Sequence, residues 1–137
     1  MQYAEFEEFA HSLVANNLPI SKEILNQKYY ELNALYNPGV ENDKIKQFHW
    51  SIVPHFYSSF YVYKYATGLI SAVTLASNVI NNKPNALKKY YKFLEAGGSD
   101  YSTNILKHAG VDLTSEEPYK TAFSEFKKAV NQMEKLI

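Results

Sequence analysis

Apolar positions recur along most of this chain at steps of three to five residues, the period of helices with one face turned inward. Phe6, Phe9, Leu13 and Val14 predict a first helix that stops near Asn16-Asn17-Leu18-Pro19. Ser21 reads as the N-cap of a second, with Leu25, Tyr29, Leu32 and Tyr36 along one stripe and Asn37-Pro38-Gly39 as its terminator. A short helical piece is expected over Asp43 to Trp50. Pro54 resets the chain, and the tyrosine-rich segment after it runs into a long helix through Ala66, Leu69, Val73, Ala76 and Ile80 to Asn81-Asn82. Pro84 suits the first turn of another helix ending at Ala96, with Gly97-Gly98 placed for a left-handed C-cap. A brief helix from about Tyr101 to His108 closes at Gly110. Thr114 and Glu117 have capping-box spacing ahead of a last amphipathic helix carrying Phe123, Phe126, Val130, Met133 and Ile137.

Alternating apolar and polar residues are absent, so no segment competes as a strand on pattern. Phe60-Tyr-Val-Tyr-Lys-Tyr65 has strand-like composition, but it continues into an Ala-rich periodic segment, which favours helix. No internal repeat or low-complexity tract interrupts the chain. The expectation is an all-α fold, an irregular bundle of about six to seven helices forming one domain over residues 1–137.

Composition narrows the classes of function. A chain of 137 residues that is 46% hydrophobic and 15% aromatic can bury one respectable core. Fourteen basic residues balance fourteen acidic ones without long blocks of either sign, so neither nucleic acid nor an anionic membrane is indicated as partner. Zero formal charge gives little repulsion between copies, which eases self-association. Met1-Gln-Tyr-Ala-Glu-Phe-Glu-Glu is not a signal peptide, and the apolar stretch from Leu69 to Ile80 is short and broken by Ser71, Thr74, Ser77 and Asn78. A cytoplasmic location is expected.

The candidate chemistry lies in Pro54-His-Phe-Tyr-Ser-Ser-Phe-Tyr-Val-Tyr-Lys-Tyr-Ala-Thr-Gly68, where one histidine and four tyrosines fall within eleven residues. Phenol hydroxyls on large aromatic bodies suit a groove that holds a peptide and donates hydrogen bonds to it. On a continuous helix Tyr57, Tyr61 and Tyr65 would share one face, and Phe56, Phe60 and Tyr63 a neighbouring one. An aromatic stripe of this kind is more often packing than a site, when judged on spacing alone. Metal chemistry lacks a motif: none of His11, His49, His55 and His108 opens a His-Glu-x-x-His helix, and there is no cysteine. His11 and His108 are expected to be solvated, and His49 beside Trp50 to pack or lie at the surface. Glu5, Glu7 and Glu8 read as favourable charges in a first helical turn.

Four motifs together resemble a known family. Pro54-His-Phe-Tyr, Phe60-Tyr-Val-Tyr-Lys-Tyr-Ala-Thr-Gly68, Phe93-Leu-Glu-Ala-Gly-Gly-Ser-Asp-Tyr101 and Ala109-Gly-Val-Asp-Leu-Thr-Ser115 with Glu117-Pro-Tyr119 are similar, in order and spacing, to the C-terminal portion of oligoendopeptidase F. Ala4-Glu-Phe-Glu7 and the Leu32-Asn33 neighbourhood extend the resemblance over essentially the whole chain. It implies an all-helical zinc metallopeptidase related to thimet oligopeptidase, cleaving short peptides in a channel. The family's His-Glu-x-x-His helix and further glutamate ligand would lie upstream of the part matched here.

By that resemblance His55, Tyr61 and Tyr65 are the first candidates for oxyanion or substrate contacts, and Tyr57 and Tyr63 the second for substrate binding. The implied cofactor is zinc in the full-length family, with none held by this chain. Three roles are open: an inactive piece, half of a split enzyme paired with a zinc-bearing N-terminal half, or a non-enzymatic helical module. The apolar surface left by a missing half predicts a homo-oligomer, possibly a dimer.

Overall fold

The computed structural model describes residues 1–136 and is helical. It contains helices α1 (Gln2–Ala15), α2 (Lys22–Tyr36), α3 (Tyr63–Ile80), α4 (Ala86–Ala96), α5 (Ser102–His108) and α6 (Glu117–Met133), with 3₁₀ segments at Lys44–Ile52 and Pro54–Tyr57. No strand occurs among the described residues, as the pattern of apolar positions predicts. Ile137, expected on the last apolar stripe, lies outside the described residues. The chain divides into two compact units, Met1–Ala66 and Thr67–Ile137.

The first unit is built on aromatic packing between α1, α2 and the 3₁₀ segments. Phe6, Leu25, Tyr29 and Leu32 are buried together, with Tyr3, Phe9, Trp50 and Phe56 packed around them. The Phe6 ring meets Tyr29 edge-on at 5.2 Å and Phe56 at 5.0 Å, the tilted arrangements that aromatic quadrupoles favour. Trp50 is admitted because its indole N–H donates to Asn26 Oδ1 at 2.8 Å, leaving neither polar group unpaired. Burial pushes the Tyr29 phenol well above its ordinary pKa, with a hydrogen bond to Tyr3 adding to the effect. Ser21 caps α2 as expected, its Oγ accepting from Ile24 N–H at 3.3 Å.

The second unit gathers α3 from Thr67 onward with α4, α5 and α6. Leu75, Ala109 and Val111 form its buried cluster, with Tyr90, Phe93, Leu106 and Leu113 packed against them. The buried face of α3 is Ile70, Ser71, Thr74, Leu75 and Asn78. It is not the stripe expected from the sequence, since Leu69 and Ile80 are 67% and 75% exposed. The inward face carries small hydroxyl side chains that satisfy themselves: Ser71 Oγ donates to Thr67 O, and Thr74 Oγ1 to Ile70 O at 2.8 Å and to Pro118 O at 3.2 Å. Small side chains there let the backbone at the start of α6 come close. A helix apolar on two faces does not reveal by periodicity which face turns inward.

Three helices end in the same way. Leu18, Lys83 and Val111 donate their N–H groups to Leu13, Asn78 and Leu106, closing the six-residue bond of a Schellman motif. The residue before each donor has positive φ: Asn17 at 55°, Asn82 at 52° and Gly110 at 95°. These are the stops read from Asn16-Asn17, Asn81-Asn82 and Gly110.

Three local expectations are corrected. Pro84 precedes α4 rather than entering its first turn, because Asn85 at φ 60° separates them. Gly97 has φ 51° but ψ −122°, so it reverses the chain in a glycine-only region and is not a left-handed helical cap. The capping box before α6 is absent: Thr114 Oγ1 donates to Asp112 Oδ1 at 2.6 Å, and Glu116, which precedes the helix, makes no side-chain cap.

Candidate functional site

The tyrosine segment is not one helix, and that decides which of its side chains meet. Pro54–Tyr57 forms a 3₁₀ turn, and α3 begins only at Tyr63. Between them Phe60 sits in the left-handed region at φ 55°, an uncommon conformation for a bulky residue. The Tyr61 N–H closes the turn onto Ser58 O at 3.2 Å. The same N–H also points at Glu7 Oε1, 3.2 Å away and 54 residues distant in sequence.

The consequence is a three-ring cluster. The Tyr65 hydroxyl lies 3.3 Å from His55 Nε2 and donates toward the Tyr61 hydroxyl at 3.5 Å. The His55 and Tyr61 rings stack at 5.6 Å with 20° between planes, while Tyr65 stands edge-on to both. The Lys64 ammonium rests 5.4 Å from the centre of the Tyr61 ring, a cation–π contact. Tyr61 and Tyr65 are 40% and 59% exposed, so both phenols reach an incoming ligand. The hydrogen bond with Tyr61 raises the Tyr65 phenol above its ordinary pKa, with slight desolvation and the Tyr61 charge acting the same way. It therefore keeps its proton well past neutrality.

The other two tyrosines part company with this cluster. The shared face expected for Tyr57, Tyr61 and Tyr65 does not form, because the positive φ at Phe60 breaks the helical register between the first and second. Tyr57 is 72% exposed and its hydroxyl donates to Ser51 O at 2.7 Å. Tyr63 lines a cavity of about 970 Å³ with Ala4, Glu7, His11, Val14 and Phe60.

His11 is not the solvated residue expected. It stacks on Phe60 at 4.0 Å, with 17° between the rings, and half-covers that aromatic. His49 is exposed, with Nε2 3.3 Å from the Tyr3 hydroxyl, and His108 is exposed at the end of α5. Glu7 also departs from expectation: it is only 5% exposed, whereas Glu5 accepts from the Tyr36 hydroxyl at 2.9 Å. The signal for Glu7 was available, since Tyr3, Glu7 and Ala10 follow the same i, i+4, i+7 stripe as the core.

Among the described residues no three His, Cys, Asp or Glu side chains gather to hold a metal ion. The described residues therefore present no set of ligands that fits zinc. No described helix is long and apolar enough to cross a membrane.

Comparison with known proteins places the chain in a family. Residues 1–125 match the model for peptidase family M3. The chain is 40% identical over 136 residues to oligopeptidase PepF of Bacillus subtilis, covering 98% of this chain and 20% of that protein. It is 37% identical over 137 residues to group B oligopeptidase PepB of Streptococcus agalactiae, covering 99% of this chain and 23% of that one. In structure it superposes on the crystal structure of oligoendopeptidase-F from Enterococcus faecium with a TM-score of 0.92 and 42% identity, over 98% of this chain and 26% of that one. This chain thus spans about a fifth to a quarter of the length of the proteins it matches. With the family model matched over residues 1–125 and relatives aligned along nearly all of the sequence, the chain belongs to peptidase family M3.

Proposed function

We propose that this chain supplies the substrate-gripping and oxyanion-stabilising wall of a zinc-dependent oligoendopeptidase acting on short peptides in the cytoplasm. The observation that carries the reading is the approach of His55 Nε2, Tyr65 Oη and Tyr61 Oη to within 3.3 and 3.5 Å on an accessible surface. Peptide-bond hydrolysis passes through a tetrahedral intermediate whose oxygen gains charge, and a protonated phenol donates to it without reorganising water. Tyr61 and Tyr65 are the donors, and His55 fixes the direction of the Tyr65 hydroxyl. Tyr57 and Tyr63 contact substrate farther from the reacting carbonyl.

Zinc, as the family resemblance implies, supplies the activated water. The residues here do not fit it, so its ligands belong to polypeptide outside this chain, and no step is derived through it. In this reading the chain binds peptide weakly by itself and contributes to catalysis only beside a metal-bearing half.

Two measurements test the proposal. Titrating the isotopically labelled chain with a short, end-blocked peptide should shift the resonances of His55, Tyr61 and Tyr65 together. Shifts confined to other residues would sink the assignment. Mixed with a zinc-bearing half, the chain should restore cleavage of a quenched fluorescent peptide, and Tyr65→Phe should lower that rate by about 10²-fold, the usual loss for one oxyanion donor.

A second reading has its own support. The α6 stripe of Phe123, Phe126 and Met133 is 60%, 69% and 59% exposed, which favours a self-associating helical module that forms a dimer.

A further inference from the structure

We infer that Glu7 is a positioning residue for the His55–Tyr61–Tyr65 cluster, its carboxyl group fixing the Tyr61 backbone and so the angle at which both phenols meet the imidazole. The inference rests on the reading of that cluster as a substrate-facing site.

Glu7 is only 5% exposed, and burying a carboxyl group is costly unless a donor meets it. Here the donor is a backbone N–H brought from 54 residues away, Tyr61 N to Glu7 Oε1 at 3.2 Å. That N–H already closes the Ser58–Tyr61 turn, at 3.2 Å from Ser58 O, so the turn would persist without Glu7 but would not be tied to α1. What needs tying is Phe60. A bulky side chain at φ 55° is strained, and such a residue persists only where its neighbours over-determine it. Glu7 holds the backbone immediately after Phe60, and His11, one turn farther along α1, stacks on its ring at 4.0 Å.

Both restraints come from one helix and act on one residue pair. Were Phe60 to relax to negative φ, the direction of the chain into Tyr61 would rotate. Tyr61 and Tyr65 are both placed by that direction, since Lys64 N–H donates to Tyr61 O at 3.3 Å and Tyr65 N–H to Val62 O at 3.2 Å in the first turn of α3. The His55 imidazole sits in the preceding 3₁₀ turn and would not follow.

The test uses the labelled chain without peptide, so it is independent of whether peptide binds. Ring-to-ring nuclear Overhauser contacts of His55 with Tyr61 and Tyr65 are compared in the parent, Glu7→Gln, Glu7→Ala and Leu13→Ala. Glu7→Gln keeps an acceptor and should keep the contacts. Glu7→Ala should lose most of their intensity and speed exchange of the Tyr61 amide by about tenfold, as expected when a hydrogen bond is removed. Leu13→Ala destabilises the same helix and should leave both readings as in the parent. Unchanged contacts in Glu7→Ala, or their loss in Leu13→Ala, would overturn the inference. Where Glu7→Ala fails to fold, Glu7→Gln decides alone: the contacts must persist while the Tyr61 amide proton moves upfield with the weaker acceptor, and an unmoved amide refutes the bond. A chain that passes this test but shows no peptide-induced shifts would refute the proposed function and leave the Glu7 restraint standing.

Discussion

A phenol has one proton to give, and Tyr65 has two acceptors within reach of it. When Nε2 of His55 lacks a proton, Tyr65 donates to the imidazole; when Nε2 carries one, the imidazole donates and the Tyr65 proton turns to Tyr61. Either order leaves Tyr61 with a proton for a ligand, and an incoming oxyanion, a stronger acceptor than the imidazole or the Tyr61 hydroxyl, draws the Tyr65 proton away from its resting partner. Because the bond to Tyr61 is the largest cause of the raised Tyr65 pKa, Tyr61→Phe should lower the Tyr65 titration toward the ordinary value of about 10. A raised folded-state value adds stability that is complete below the ordinary pKa and is lost as pH climbs through the folded one. The variant should therefore narrow the alkaline window over which stability declines. Carbon-detected titration of the labelled Tyr65 ring reads this directly, and an unmoved midpoint would contradict the bond. At this scale the sequence was partly legible. The spacing of His55, Tyr61 and Tyr65 let their meeting be read from the sequence, and the stripe of Tyr3, Glu7 and Ala10 carries the signal that Glu7 turns inward, but the partners of Glu7 and His11 lie 54 and 49 residues away, at Tyr61 and Phe60, and no local pattern encodes such a pairing.

Helix ends were more legible than helix faces. Asn17, Asn82 and Gly110 are stop signals because only residues tolerant of positive φ suit the Schellman geometry, a wholly local requirement. Replacing Asn82 with valine should cost about 1–2 kcal/mol in urea unfolding, and replacement with glycine should cost nothing or stabilise, since glycine adopts φ 52° freely. Equal effects from both would show that the end of α3 is held by something other than its backbone. The α5–α6 connection misled for a related reason. Thr114 competes for Asp112 instead of capping α6, and Lys107 Nζ reaches the other oxygen of Asp112 at 2.8 Å. The Lys107 and Thr114 hydrogen bonds hold the Asp112 carboxyl at about 2. A depressed carboxyl contributes stability that is present above its ordinary pKa, near 4, and vanishes as pH falls through about 2. Lys107→Ala should raise the Asp112 midpoint and remove much of that acid-side dependence, as followed by the carboxyl carbon shift. A midpoint still near 2 would assign the depression to Thr114 alone.

For the molecule as a whole, the helical class and the family were legible because they rest on periodicity and on long motifs, but the distribution of apolar surface was not. Amphipathic pattern says that a face wants cover, and it does not say whether this chain provides the cover. In α4, Tyr90 and Phe93 pack on the buried cluster, while Leu87, Tyr91 and Leu94 remain 52%, 55% and 55% exposed. In α6 the whole predicted stripe from Phe123 to Met133 is open or only half-covered. Large apolar side chains repeated at i, i+3 and i+7 are unusual on a free surface. The relatives are roughly four to five times as long as this chain, so most of the polypeptide able to cover such faces is not in it. With fourteen charges of each sign, repulsion between copies is weak. We therefore expect the isolated chain to self-associate in sedimentation velocity, with a weight-average mass that rises with concentration. Phe126→Glu should shift that equilibrium toward monomer without changing the helical circular dichroism, since Phe126 is 69% exposed and supports no core. Mixing with a zinc-bearing half should dissociate the self-associated form if both partners compete for the α6 face. A parent chain that stays monomeric at high concentration would remove the need for any cover and, with it, the argument that these faces are interfaces.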